Sequence, residues 1–203
     1  KGQDPMTMSA QVECLRGQID DLNQITSFFL APDEELLRRS PQLVTGLPTP
    51  AACGAITASS LPSPANDLEE AESRRQLDAL LRRAEILVRA GRVAEAREVT
   101  NTAHELASTQ DAYSAMAKAE QIRGSIAYNA GAVDEAIVHF RRAELAAEQA
   151  ADDTKVVAAL NWLAEALAWN RDFEAAELVL QRNRAKIARL ERIDLRQRVL
   201  LEA

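Results

Sequence analysis

A chain of 203 residues with 47% hydrophobic and 27% charged residues has the balance of one or two globular domains and not of a disordered segment. Its net charge of -7 argues against nucleic acid as a partner, because phosphate binding needs a concentrated basic face. There is no run of about 18 apolar residues, so no membrane insertion is expected of this segment. Aromatic residues make up only 4%, which favours helices that approach closely over small side chains.

Residues 1–7 open with Lys1-Gly2-Gln3-Asp4-Pro5 and read as a cloning remnant outside the fold. From about Ser9 to Leu30, Val12, Leu15, Ile19, Leu22, Ile25, Phe28 and Phe29 recur at spacings of three and four, the mark of one helical face. Pro32 stops that helix, and Asp33, Glu34 and Glu35 place acid in the first turn of a second one, where the helix dipole favours it. Leu36, Leu37, Leu43 and Val44 are expected to pack the second helix on the first, with Pro41 bending or splitting it. Residues 8–62 thus read as an αα-hairpin followed by a proline-rich segment. Four of the seven prolines (Pro48, Pro50, Pro62 and Pro64) fall between Gly46 and Asn66, and Pro62-Ser63-Pro64 is the expected linker.

Asp67 is a plausible N-cap for a helix that runs to Ala90 through Leu77, Leu80, Leu81, Ala84, Leu87 and Val88. Ala90-Gly91-Arg92-Val93-Ala94-Glu95-Ala96 then returns forty residues later as Ala130-Gly131-Ala132-Val133-Asp134-Glu135-Ala136. A third version is Asn170-Arg171-Asp172-Phe173-Glu174-Ala175-Ala176. Each closes one helix and opens another, so each is the turn of a helical hairpin. A self-similar period of about 20–50 residues is the signature of a solenoid. The second hairpin is expected to pack through Ile122, Gly124, Ile126, Ala127, Ala136, Ile137, Phe140, Ala143 and Leu145. The third would use Leu160, Leu163, Ala164, Leu167, Phe173, Ala176, Leu180 and Ile187. From about Ile193 a further helix is either a cap or a truncated unit.

These positions resemble the tetratricopeptide (TPR) pattern. Ala84, Gly124 and Ala164 match the small site of the first helix, and Leu87, Ala127 and Leu167 its large site. Ala96, Ala136 and Ala176 match the small site of the second helix, and Thr100, Phe140 and Leu180 the bulky one. Ala103 and Ala143 fill the last small site, where the third copy departs with Asn183. The period of forty exceeds the usual one of about 34, and the Pro that normally ends a unit is missing. The fold implied is an all-α, αα-hairpin superhelix over residues 63–203, preceded by the small N-terminal hairpin. A narrower resemblance lies in Cys14-Leu15-Arg16 and Leu47-Pro48-Thr49-Pro50-Ala51-Ala52-Cys53. This looks like the region after the catalytic domain of bacterial, especially myxobacterial, serine/threonine protein kinases. Gly-rich-loop, His-Arg-Asp and Asp-Phe-Gly motifs are absent, so the segment itself would be non-catalytic.

The TPR resemblance implies a concave groove lined by Arg82, Glu85 and Arg89, then Gln121, Ser125, Tyr128 and Asn129, then Asn161, Trp162, Glu165 and Trp169. Trp162 and Trp169 are seven apart and share a face, either anchoring a peptide or partner helix or plugging gaps between units. Gln121, Ser125 and Asn161 stand where chaperone-binding TPRs carry their Lys and Asn clamp, so an acidic C-terminal tail is a poor ligand. Cys14 and Cys53 flank the N-terminal hairpin and form a disulfide outside the cytoplasm, or pack as two reduced thiols. His104 and His139 are expected at the surface or groove edge, without a catalytic or metal-ligand partner. No metal or other cofactor is expected. A protein or peptide is the expected partner, with a homodimer through the ends of the array as an additional arrangement. The compartment is left open between cytoplasmic and extracytoplasmic. A protein-interaction module leads, a peptide-sensing regulator domain stands second, and an enzyme is disfavoured for want of convergent polar groups.

Overall fold

The computed structural model describes residues 5–47, 49–56 and 68–202. All regular structure among them is helical, which establishes the all-α class: α1 Pro5–Phe28, α2 Glu34–Thr45, α3 Pro50–Gly54, α4 Leu68–Arg89, α5 Val93–Thr109, α6 Tyr113–Asn129, α7 Val133–Gln149, α8 Asp153–Trp169 and α9 Phe173–Glu202. Contacts divide the chain into two units, Lys1–Val99 and Thr100–Ala203. The expected linker Pro62-Ser63-Pro64, the Asp67 cap, Pro48 and the 62/63 boundary lie outside the described residues.

In the first unit, α1 begins at Pro5, a residue suited to a helix N-terminus because its missing N–H would have no intrahelical partner there. Residues 5–7 thus form the first turn of α1. Asp33 caps α2, accepting from the Leu36 N–H at 2.7 Å. The helix continues through Pro41 without splitting, and the Ser40 hydroxyl donates at 2.8 Å to the Leu37 carbonyl that the proline cannot serve. Ile25, Leu36, Leu43, Ile86 and Ala90 form the core, flanked by Phe28 and Leu47. The hairpin therefore shares its core with α4. Cys14 of α1 and Cys53 of α3 are joined in a disulfide, Cα to Cα 5.6 Å. Closing a loop of that 39-residue separation restrains the unfolded chain by about 4 kcal/mol on the entropic account.

Of the apolar stripe expected on α1, Ile25 and Phe28 reach that core and the rest does not. Val12, Leu15, Ile19, Leu22 and Phe29 are exposed, as are Leu37 and Val44 of α2. Ahead of Ile25, the inward side of α1 is instead polar or small. Gln11 donates to the Ile56 carbonyl at 3.2 Å, Gln18 to the Thr49 carbonyl at 3.3 Å, and Asp21 lies 3.4 Å from Arg82 Nε. Gly17 leaves room for the Arg82 guanidinium, whose Cζ is 3.3 Å from where a Cβ would sit.

The second unit advances by twenty residues, half the repeat read from the sequence. α5, which begins in the first unit, α6, α7 and α8 are each 17 residues long, and three residues join each to the next. The middle residue of each connector is left-handed: Asp111 at φ 50, Gly131 at φ 78, Ala151 at φ 52 and Arg171 at φ 62. The following residue donates back to the sixth-last position of the motif, as in Ala112 N–H to Ala107 O and Ala132 N–H to Ala127 O, both 2.9 Å. This is a Schellman closure, in which the residue completing one helix also opens the next. Gly91 makes the same turn in the first unit at φ 77.

Packing runs between sequence neighbours, α6 on α7, α7 on α8 and α8 on α9. Phe140 is fully buried at the centre, with Ala136, Ala146, Ala147, Val156, Leu160, Leu163 and Leu167 in the same core. A Cβ on Gly124 would stand 2.5 Å from Phe140 Cε1, so the missing side chain makes room for the ring. Ala96, Ala136 and Ala176 occupy the same place in the first turn of α5, α7 and α9, and all three are buried. Leu145, Phe173, Leu180 and Ile187, expected in the packing face, are exposed. For the last three the reason is that α9 packs chiefly on α8, which covers a single stripe of it.

Candidate functional site

Arg82, Glu85 and Arg89 lie on α4 in the first unit. Arg82 faces Asp21, and Arg89 donates to the Gly46 carbonyl at 2.6 Å, so both cations are committed to the N-terminal hairpin. The remaining expected groove residues lie on α6 and α8 in the second unit. Ser125 bonds its own helix at the Gln121 carbonyl, 3.0 Å away, and Asn129 is exposed beside the α6 terminus. Asn161 accepts from Asn183 of α9 at 2.6 Å.

Tyr128, Trp162, Glu165 and Trp169 come together. The Tyr128 ring meets Trp162 edge-on at 6.4 Å and Trp169 edge-on at 6.3 Å. Its hydroxyl donates to Glu165 Oε1 at 3.2 Å. Burial, followed by that carboxylate, raises the Tyr128 pKa above its ordinary value and keeps the phenol a donor. The two indoles divide the roles expected of them. Trp162 stacks on Phe140 at 5.9 Å and 17° and belongs to the packing, whereas Trp169 is 71% exposed. An edge-to-face pair adds about 0.5–1.5 kcal/mol beyond its burial, so Tyr128 holds Trp169 in place while leaving its outer face open.

A second grouping went unread in the sequence. Glu120 of α6 is buried at 4% exposure among Ala117, Gly124 and Ala127, and the chain's two histidines converge on it. His104 Nε2 of α5 lies 3.1 Å from Glu120 Oε1, and His139 Nδ1 of α7 lies 2.7 Å from Oε2. Arg123 donates to Oε1 at 2.7 Å and to Asn101 Oδ1 at 2.9 Å. Burial pushes the Glu120 pKa up, but the hydrogen bonds from His139 and Arg123 outweigh it and hold the carboxyl below its ordinary value. Burial, then Arg123, lowers the His104 pKa. The expectation that both histidines are surface or groove-edge groups is thus corrected: they are half-buried and tie three helices to one anion. The signal available in sequence was an acid at a position of α6 otherwise filled by small residues, Ala117-x-x-Glu120-x-x-x-Gly124-x-x-Ala127.

A shallow cleft is floored by Leu163, Leu167 and Val179, with Arg141 and the Arg182–Glu144 ion pair at its rim. None of the expected groove residues lines it. Among the described residues, no His, Cys, Asp and Glu group is arranged to hold a metal ion, and no helix is long and apolar enough to cross a membrane. No protein-family model, curated protein or solved structure matches the chain.

Proposed function

We propose that this chain is a protein-interaction or sensory module that takes a peptide or partner helix against the α6/α8 face, with Trp169 as its anchor. One observation carries the reading. A large indole is open to solvent yet fixed by an edge contact to Tyr128, which is itself fixed by Glu165. Contact residues of this kind supply most of the energy in peptide and helix recognition, because little side-chain entropy is lost on binding. The twenty-residue step and the small residues at Ala136, Gly124, Ala164 and Ala176 support a TPR-like solenoid as the scaffold. On that reading the segment performs no catalysis itself. The Cys14-Leu15-Arg16 and Ala51-Ala52-Cys53 elements support placing it in the non-catalytic region of a bacterial serine/threonine kinase. A peptide-sensing regulator is the alternative, and the coding sequence upstream of Met6 separates the two: a kinase domain favours the first, a helix-turn-helix the second.

The binding claim is tested with a displayed library of peptides 10–20 residues long, roughly the span of one helix or extended groove ligand. Selected peptides are titrated by calorimetry into wild type, Trp169→Ala and Leu145→Ala, the last an exposed control on α7. Loss of tenfold or more in affinity for Trp169→Ala alone is expected. Equal affinity for all three proteins refutes the anchor.

A further inference from the structure

α1 presents a second surface, unrelated to the aromatic face. Met8, Val12, Leu15, Ile19 and Leu22 are 40% to 58% exposed, although every one is a large apolar residue. Their spacing is 4, 3, 4 and 3, a heptad seam that Thr26 extends by one position. The inward face of the same helix, through Gln11, Cys14, Gln18, Asp21 and Ile25, is displaced by one residue, about 100° around the axis. One helix therefore turns its polar and small side to its own unit and its apolar seam to solvent. This inverts what burial of apolar surface alone would select within a monomer.

We infer that the seam is covered by α1 of a second copy of this chain, as a parallel two-stranded coiled coil. Residue types along the seam select that occupant. Val12, Ile19 and Thr26 fall at heptad position a, and Met8, Leu15 and Leu22 at d, and β-branched a residues with Leu at d favour parallel dimers. The Thr26 hydroxyl donates within its own helix to the Asn23 carbonyl at 2.9 Å, so the seam carries no orphaned donor there. Arg16 and Asn23 flank the seam at position e, whereas Gln11 and Gln18 at g stay on their inward contacts with the Ile56 and Thr49 carbonyls. No like charges meet, and Glu13 and Asp20 lie off the seam at position b.

The size is also sufficient. Met8 to Thr26 spans roughly 27 Å of helix, about two and a half heptads. Half-exposed side chains of this kind leave on the order of 400 Å² per copy, or about 800 Å² for the pair. Adding the flanking Ser9, Arg16 and Asn23 brings the total to roughly the 1,000 Å² that a specific interface must clear. The inward contacts of α1 are undisturbed, because Cys14, Asp21 and Ile25 lie off the seam.

The whole chain is measured by sedimentation velocity from about 1 to 100 µM, a range that brackets ordinary dimer affinities. Ile19→Glu with Leu22→Glu is compared at matched helix content by circular dichroism. A separate Val12→Cys variant is oxidised and mapped for a 12-to-12 cross-link, which parallel pairing brings face to face. Wild-type dimer, monomeric double variant and a recovered cross-link are expected. A monomer throughout the range, or a dimer that tolerates both glutamates, overturns the interface, and a dimer lacking the cross-link overturns its parallel register.

Discussion

Gly124→Ala tests the packing of the second unit most sharply, because helix propensity and tertiary contact predict opposite signs. In a solvent-facing helix interior the change stabilises by about 1 kcal/mol. Here the new Cβ would lie 2.5, 2.6 and 2.9 Å from Cε1, Cδ1 and Cζ of Phe140. Real Cβ contacts do not approach so closely, so the ring must move by about 1 Å, and it has nowhere open to go. Phe140 is fully buried and stacks on Trp162 at 5.9 Å. Overpacking of this kind costs about 1–3 kcal/mol. Net destabilisation of up to about 2 kcal/mol is expected in urea unfolding followed by circular dichroism, with indole fluorescence reporting Trp162. Phe140→Leu removes the opposing ring atoms, so the double variant should be less destabilised than the sum of the singles by at least about 1 kcal/mol. A more stable Gly124→Ala, or strict additivity with Phe140→Leu, refutes the reasoning.

Two further outcomes follow from the turns and the buried acid. Ala151→Gly should stabilise by about 0.5–1 kcal/mol in the same assay, because Ala151 holds φ 52 where glycine carries no Cβ penalty, and Gly131→Ala should cost a similar amount. Acid should destabilise the second unit through two groups of the same sign. His104, lowered from 6.5, and Glu120, lowered from 4.5, both bind fewer protons folded than unfolded. Stability is therefore retained above about pH 6.5, falls below it as the unfolded His104 protonates, and falls further below about 4.5 as Glu120 does. Urea midpoints at pH 7.5, 5.5 and 4 check this. Glu120→Gln should flatten the lower part of the profile while lowering stability at pH 7.5, and an unchanged slope counts against the cluster as its source.

Helix placement was largely legible in sequence because it rests on local physics. Apolar spacing, Asp33 before an acidic turn, and glycine at positions 91 and 131 each act within a few residues, and the observed bounds follow them. The twenty-residue step was half hidden for the same reason. Asp111 and Ala151 adopt the glycine conformation without being glycine, held there by the hydrogen bonds on either side.

What the linear chain could not decide was which surface each side chain would meet. The spacing of Val12, Leu15, Ile19 and Leu22 established a helix and an apolar stripe. Packing then set the opposite-natured face of α1 inward, because Cys14, Gln18 and Asp21 have partners on α3 and α4. Trp162 and Trp169 are indistinguishable by position, and their separate fates follow from Phe140 lying under only one of them. The meeting of His104 and His139 on Glu120 depends on the register of three helices across 35 residues of chain. Periodicity is a property of a single helix and was therefore written in the sequence, whereas neighbourhood is a property of how helices stack, and only the folded structure assigns it.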